Sequence, residues 1–150
     1  MAFPQVKIKE KLDELIKLRL NKGVSPIELS SNIYNEEYTE IRLKRNVEYI
    51  MCHVYFYDID LFEEKKAKYE YKYIYNKDFF LQKILQIKNK KEALIWDRKN
   101  EEYTILLDLI NLIEKSEGTL DTKLFDTLPN DLKVLIINYI DKQVDIRRVL

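Results

Sequence analysis

The sequence predicts an all-α protein. Only two glycines and three prolines occur in 150 residues, too few for many tight turns or long loops. Apolar residues recur at helical spacing in several stretches. Two of the scarce breakers also sit where helices should stop and start: Gly23 after Asn21-Lys22, and Pro26 inside Ser25-Pro26-Ile27-Glu28.

From the N-terminus, Val6 to Asn21 places Ile8, Leu12, Leu15, Ile16 and Arg19 on one helical stripe. Gly23 is positioned to close that helix in a left-handed conformation. Ser25 can then accept a backbone N–H, Pro26 suits a first helical position and Glu28 completes a capping box, so a short second helix runs to about Ile33-Tyr34-Asn35. A third helix is expected after Asn35, carrying Tyr38, Ile41 and Leu43. The middle reads two ways. Tyr69, Tyr71, Tyr73 and Tyr75 alternate with Lys68, Glu70, Lys72 and Ile74, which is strand-like and allows a small β-hairpin within 47–76. The intervening Leu61 to Lys66 lacks an Asn-Gly type turn and reads as helical. Beyond Asp78, Phe80, Ile84 and Ile87 share a helical face. The clearest helix spans about Glu101 to Lys115, with Tyr103, Leu106, Leu107, Ile110 and Ile113 at its spacing, and Gly118 marks a stop. A last helix opens at Leu128-Pro129-Asn130-Asp131 and runs to Ile140.

Composition narrows the function. An apolar share of 46% is that of a globular chain. Twenty-six basic residues balance 26 acidic ones, so the excess behind non-specific nucleic-acid binding is missing. One cysteine, Cys52, excludes an internal disulfide and suits a reducing compartment. Together with one histidine, His53, it leaves little for a thiolate or imidazole metal site, and His53 reads as structural or surface. The first residues lack the apolar core of a signal peptide, and no apolar run approaches the ~20 residues of a membrane span. No phosphate-binding loop, nucleophile elbow or paired-carboxylate motif is present, so neither a catalytic residue nor a cofactor is assigned.

Two resemblances organise the chain. Gly23-Val24-Ser25-Pro26-Ile27-Glu28-Leu29-Ser30, followed by Asn35-Glu36-Glu37, is similar to an ankyrin repeat, and Leu15 to Lys22 looks like the second helix of a preceding one. Serine, isoleucine, glutamate and Ser30 stand where that family has threonine, leucine, histidine and alanine. Leu128, Pro129, Asp131, Ile136, Tyr139 and Ile140 resemble the first helix of an F-box, and Asp145-Ile146 the opening of its second. Ankyrin repeats followed by a shortened C-terminal F-box is the arrangement of poxvirus ankyrin-repeat proteins with a PRANC domain. The chain looks like the C-terminal portion of such a protein: a partial ankyrin-like region at 1–46, a helical connecting region at 47–124 and a truncated F-box-like segment at 125–150.

That resemblance implies a non-enzymatic viral adaptor in the host cytoplasm. It would recruit the Skp-type adaptor of a cullin ubiquitin ligase through Leu128, Pro129, Asp131, Ile136, Tyr139 and Ile140, and carry a host target to it by proximity. Leu128 and Pro129 should then matter more for binding than for folding. A rival reading is a winged-helix DNA-binding regulator. Tyr38 to Met51 would be its recognition helix, Arg42, Lys44 and Arg45 would touch phosphates, and Lys65 and Lys66 would lie in the wing. Glu36, Glu37 and Glu40 at the groove and the neutral net charge oppose it. A remnant without retained function is the third reading. The alternation of Val134 and Ile137 with the main stripe already shows the last helix to be apolar on a second side, which asks for burial all round or for a partner.

Overall fold

A five-stranded antiparallel meander occupies the middle of the chain, in the order β1-β2-β3-β4-β5. The computed structural model describes residues 4–60, 62, 65–115, 126 and 128–142. The strands are β1 (Glu40–Arg45), β2 (Ile50–Asp60), β3 (Lys65–Tyr75), β4 (Leu81–Lys88) and β5 (Lys91–Asp97). Four helical elements accompany them among the described residues: α1 (Pro4–Leu20), α2 (Pro26–Ser31), α3 (Arg98–Lys115) and α4 (Asn130–Lys142). The all-α expectation is therefore overturned. The expected third helix is β1, and the helix expected through Phe80, Ile84 and Ile87 is β4. The hairpin left open in 47–76 is β2 paired with β3.

The chain divides into a sheet unit, 21–98, and a helical unit, 1–20 with 99–150. In the sheet unit the strand period sorts the residues. Cys52 lies opposite Tyr73, Val54 opposite Tyr71 and Ile50 opposite Tyr75, so one face collects Ile50, Cys52, Val54 and the tyrosine row. With Leu81, Ile84, Trp96 and Leu29 of α2 they form the core of this unit. Cys52, Val54 and Tyr75 are fully buried, and the Tyr75 hydroxyl donates to the Val24 carbonyl at 2.6 Å. Aromatic and β-branched side chains suit such a pleated, covered surface.

Turns arise without Asn-Gly. Asn46 Oδ1 accepts the backbone N–H groups of Glu48 and Tyr49, closing β1 onto β2. Asn76 Oδ1 does the same for Asp78 and Phe80 between β3 and β4. Asn89 and Lys90 both take positive φ, 50° and 65°, the two-residue form that matches strand twist. Asparagine thus supplies the turn chemistry that glycine usually provides. The capping box of α2 forms as its sequence predicts: Ser25 Oγ accepts from Glu28 N–H at 3.1 Å, and Glu28 reaches back to Ser25 N–H.

In the helical unit, α1 buries Ile8, Leu12 and Leu15, α3 buries Leu106, Leu109, Ile110 and Ile113, and α4 buries Leu132, Leu135 and Ile136, with Leu128 just before it. Of the stripes the sequence predicts, Ile8, Leu12 and Leu15 of α1 and Leu106, Ile110 and Ile113 of α3 are buried; Tyr103 and Leu107 are only partly so, and Leu109, outside the predicted stripe, is fully buried. Each buried set falls at i, i+3, i+4 or i+7, one side of a helix, so the three apolar faces make one aliphatic core. Polar ties surround it: Lys11 lies 3.5 Å from Asp108, and Arg19 reaches both α3 and α4.

Candidate protein-binding surface

Helix α4 carries most of the residues expected to make the partner contact. Its entry is fixed by backbone geometry: the Pro129 carbonyl accepts the N–H groups of Leu132 and Lys133, both at 3.1 Å. Asp131 lies in the first turn, where the helix dipole favours an acid. Two Arg19 nitrogens bind its two oxygens at 3.1 and 2.8 Å, while Arg19 Nε donates to Glu102 at 3.0 Å. The hydrogen bond from Arg19 holds the Asp131 carboxyl below the usual carboxylate range. The Leu-Pro-x-Asp motif thus acts as a helix entry tied to α1.

The expected contact residues separate into two groups. Leu128 and Ile136 are 4% and 0% exposed and belong to the core of the helical unit. Pro129 and Asp131 are exposed. Tyr139 and Ile140 lie on the α4 backbone, but their side chains fall outside the described residues. The apolar side chains that α4 does present are Val134 and Ile137, 56% and 43% exposed and three residues apart, hence neighbours on one side of the helix.

The sheet unit holds a second polar constellation. His53 lies on the face opposite the tyrosine row, directly across from Arg42 on β1 and Lys72 on β3. Its Nδ1 is 2.5 Å from Glu70 Oε1, and its ring stacks on Tyr55 at 6.4 Å between centroids. His53 Nε2 is buried and has no hydrogen-bond partner among the described residues. The imidazole is thus a buried member of a charged cross-strand cluster. Once the strand period is known the pairing follows, because Tyr55 opposite Glu70 puts that glutamate diagonal to His53. A helical reading of the middle hides it.

Burial pushes the Cys52 thiol up, and it pushes the Tyr73 hydroxyl up to about 12. Among the described residues no group of three or more His, Cys, Asp and Glu is gathered for a metal ion, and no helix is long and apolar enough to cross a membrane.

The rival DNA-binding reading loses its recognition helix, since Tyr38 to Met51 contains β1, a turn and the start of β2. Likewise, the second helix of the ankyrin-like pair after Asn35 is replaced by β1. No family model, no curated protein and no solved structure matches this chain.

Proposed function

We propose that the protein is a non-enzymatic connector between proteins and that the outer side of α4 is its docking face. The observation that carries this is the pairing of two apolar sides on one helix. Leu132, Leu135 and Ile136 are used in the core, whereas Val134 and Ile137 remain open to solvent. Two half-exposed aliphatic side chains this close gain from a partner, since burying the exposed half of each is worth about 1 kcal/mol. Their helix is tied at its first turn to α1 through Arg19 and Asp131. The partner class carried over from the F-box resemblance is a Skp-type adaptor of a cullin ubiquitin ligase. Leu128 and Ile136 shape the docking helix from beneath and do not touch the partner in this reading.

The test is a pull-down of the full chain against a Skp-type adaptor, with Val134→Lys/Ile137→Lys beside it. Capture by the parent chain and at least tenfold weaker capture by the double variant, with unchanged helical circular dichroism, is the expected result. Equal capture by both forms overturns the docking face. Capture by neither form removes this partner class.

A further inference from the structure

We infer that the outer face of the sheet, over β1, β2 and β3, is a binding platform for single-stranded nucleic acid. The two faces of the sheet differ. One supplies every strand residue of the sheet unit's core, and the alternate register positions supply none. On that outer face Glu40, Tyr55 and Glu70 form one cross-strand row, Arg42, His53 and Lys72 the next, and Lys44, Met51 and Ile74 a third. Past Tyr55, Tyr57 lies opposite Lys68 and Ile59 opposite Lys66. Five cations thus share these three strands with two carboxylates. Both carboxylates are engaged, Glu70 with His53 and Glu40 with Arg42, each at 2.5 Å. Glu92 reaches across from β5 to Lys72 at 3.5 Å. Lys44, Lys66 and Lys68 are in no ion pair among the described residues. The neutral total of the chain therefore conceals a basic field over β1–β3.

The aromatic side chains select the occupant. Arg42 and Lys68 lie over the Tyr55 ring, 5.6 and 5.3 Å from its centre, and Lys66 lies 5.3 Å over Tyr57, which is 47% exposed. A single strand uses both components: its phosphates draw the flexible lysines, and its bases stack on the rings those lysines cover. An acidic peptide answers the cations alone. A duplex keeps its base faces stacked inside and gains nothing from the rings. At the centre of the face His53 Nε2 is buried without a partner among the described residues, so the sheet leaves one polar atom there unsatisfied. From Lys66 to the level of Ile74 the platform runs about 27 Å along β3, enough for a site of about four nucleotides. It needs no recognition helix, unlike the winged-helix reading. It lies on different elements from the outer side of α4, and neither proposal depends on the other.

Fluorescence anisotropy of the full chain with labelled oligo-U and oligo-dT of about 15 nucleotides tests it. The expected Kd is on the order of 10 μM at about 50 mM salt, weakening roughly 20- to 50-fold by about 200 mM, as three or four phosphate contacts require. Tighter binding of oligo-U assigns RNA, and equal binding assigns single strands of either kind. Lys66→Glu/Lys68→Glu should weaken binding at least about tenfold. Tyr57→Ala should weaken it about fivefold or more, and Tyr57→Phe, which keeps the ring, by less than about twofold. Lys7→Glu/Lys9→Glu makes the same charge change on α1 and should have a much smaller effect. All these positions are exposed, so each variant should keep the folded circular dichroism. No binding of either oligomer at the lower salt overturns the inference. So does tighter binding of a duplex of the same length, or equal weakening by the α1 variant. A Tyr57→Ala variant that binds like the parent also overturns it, and displacement of the oligomer by poly-glutamate would then mark a surface for acidic proteins instead.

Discussion

Gly23 has φ +81°, a conformation that side chains with a Cβ seldom adopt. Its N–H donates to Asn21 Oδ1, and its neighbour Lys22 accepts the Leu81 N–H at 2.8 Å. Arg98 completes the junction by donating to the Leu81 carbonyl at 2.6 Å and to the Asn21 carbonyl at 2.7 Å. A Cβ at Gly23 would lie 2.9 Å from Leu81 Cβ, which is fixed close to its backbone and cannot swing aside. Gly23→Ala should therefore cost roughly 2–3 kcal/mol, from left-handed strain plus the displacement of Leu81. Chemical denaturation should show a lower midpoint with an unchanged m-value. His53 poses the opposite problem at the same scale. Glu70 lies 2.5 Å from one ring nitrogen, whereas the other is buried with no partner among the described residues.

At the scale of the element, α4 reverses one expectation about its motif. If Leu128 and Pro129 served binding above folding, Leu128→Ala would leave stability nearly intact. Leu128 is instead 4% exposed among Leu132, Leu135 and Ile136, so its loss should cost about 3 kcal/mol. Val134→Lys, on the open side, should fall within about 0.5 kcal/mol of the parent. Thermal unfolding of the two variants checks the contrast; near-equal midpoints would contradict it. What was legible in the sequence follows the same logic. The capping box of α2 and most of the α1 and α3 stripes are local patterns and appear as expected, although the fully buried Leu109 lies outside the predicted α3 stripe. The strands were hidden because Phe80, Leu81, Ile84, Leu85 and Ile87 satisfy a helical period as well as a strand period. The tyrosine row gave the only clean alternation. The turn residues that would have separated the strands are Asn46, Asn76 and Asn89-Lys90, which carry no glycine. On α4 the motif was legible, but which of its apolar sides faced the core depends on α1 and α3, and sequence spacing does not supply that.

Over the whole molecule the two cores differ in kind, and pH should tell them apart. The sheet core includes Tyr73 and Tyr75, whose hydroxyls are pushed up chiefly by burial, Tyr73 to about 12. The buried part of the helical core is aliphatic, and its titrating tie is Asp131, held down by Arg19. The signs are opposite. A raised tyrosine contributes stability that is full below its unfolded value of about 10 and is lost as pH rises through its folded value. A depressed carboxylate contributes stability that is full above about 4 and is lost as pH falls through its lower folded value. Asp131 is 61% exposed on its side chain, so solvent screens that contribution and its effect should be small. Tyr73→Phe should therefore lessen the loss of thermal stability between pH 10 and 12 and leave the acid limb unchanged. Asp131→Asn should lower the midpoint near pH 7 and converge on the parent in strong acid, where the parent carboxyl is protonated too, leaving the alkaline limb unchanged. Melting both variants and the parent across pH 2–12 gives the crossed comparison. An alkaline limb that Tyr73→Phe does not move would mean that exposed tyrosines and lysines set it. A constant gap between Asp131→Asn and the parent down to pH 2 would mean that its ion pair with Arg19 stabilises nothing.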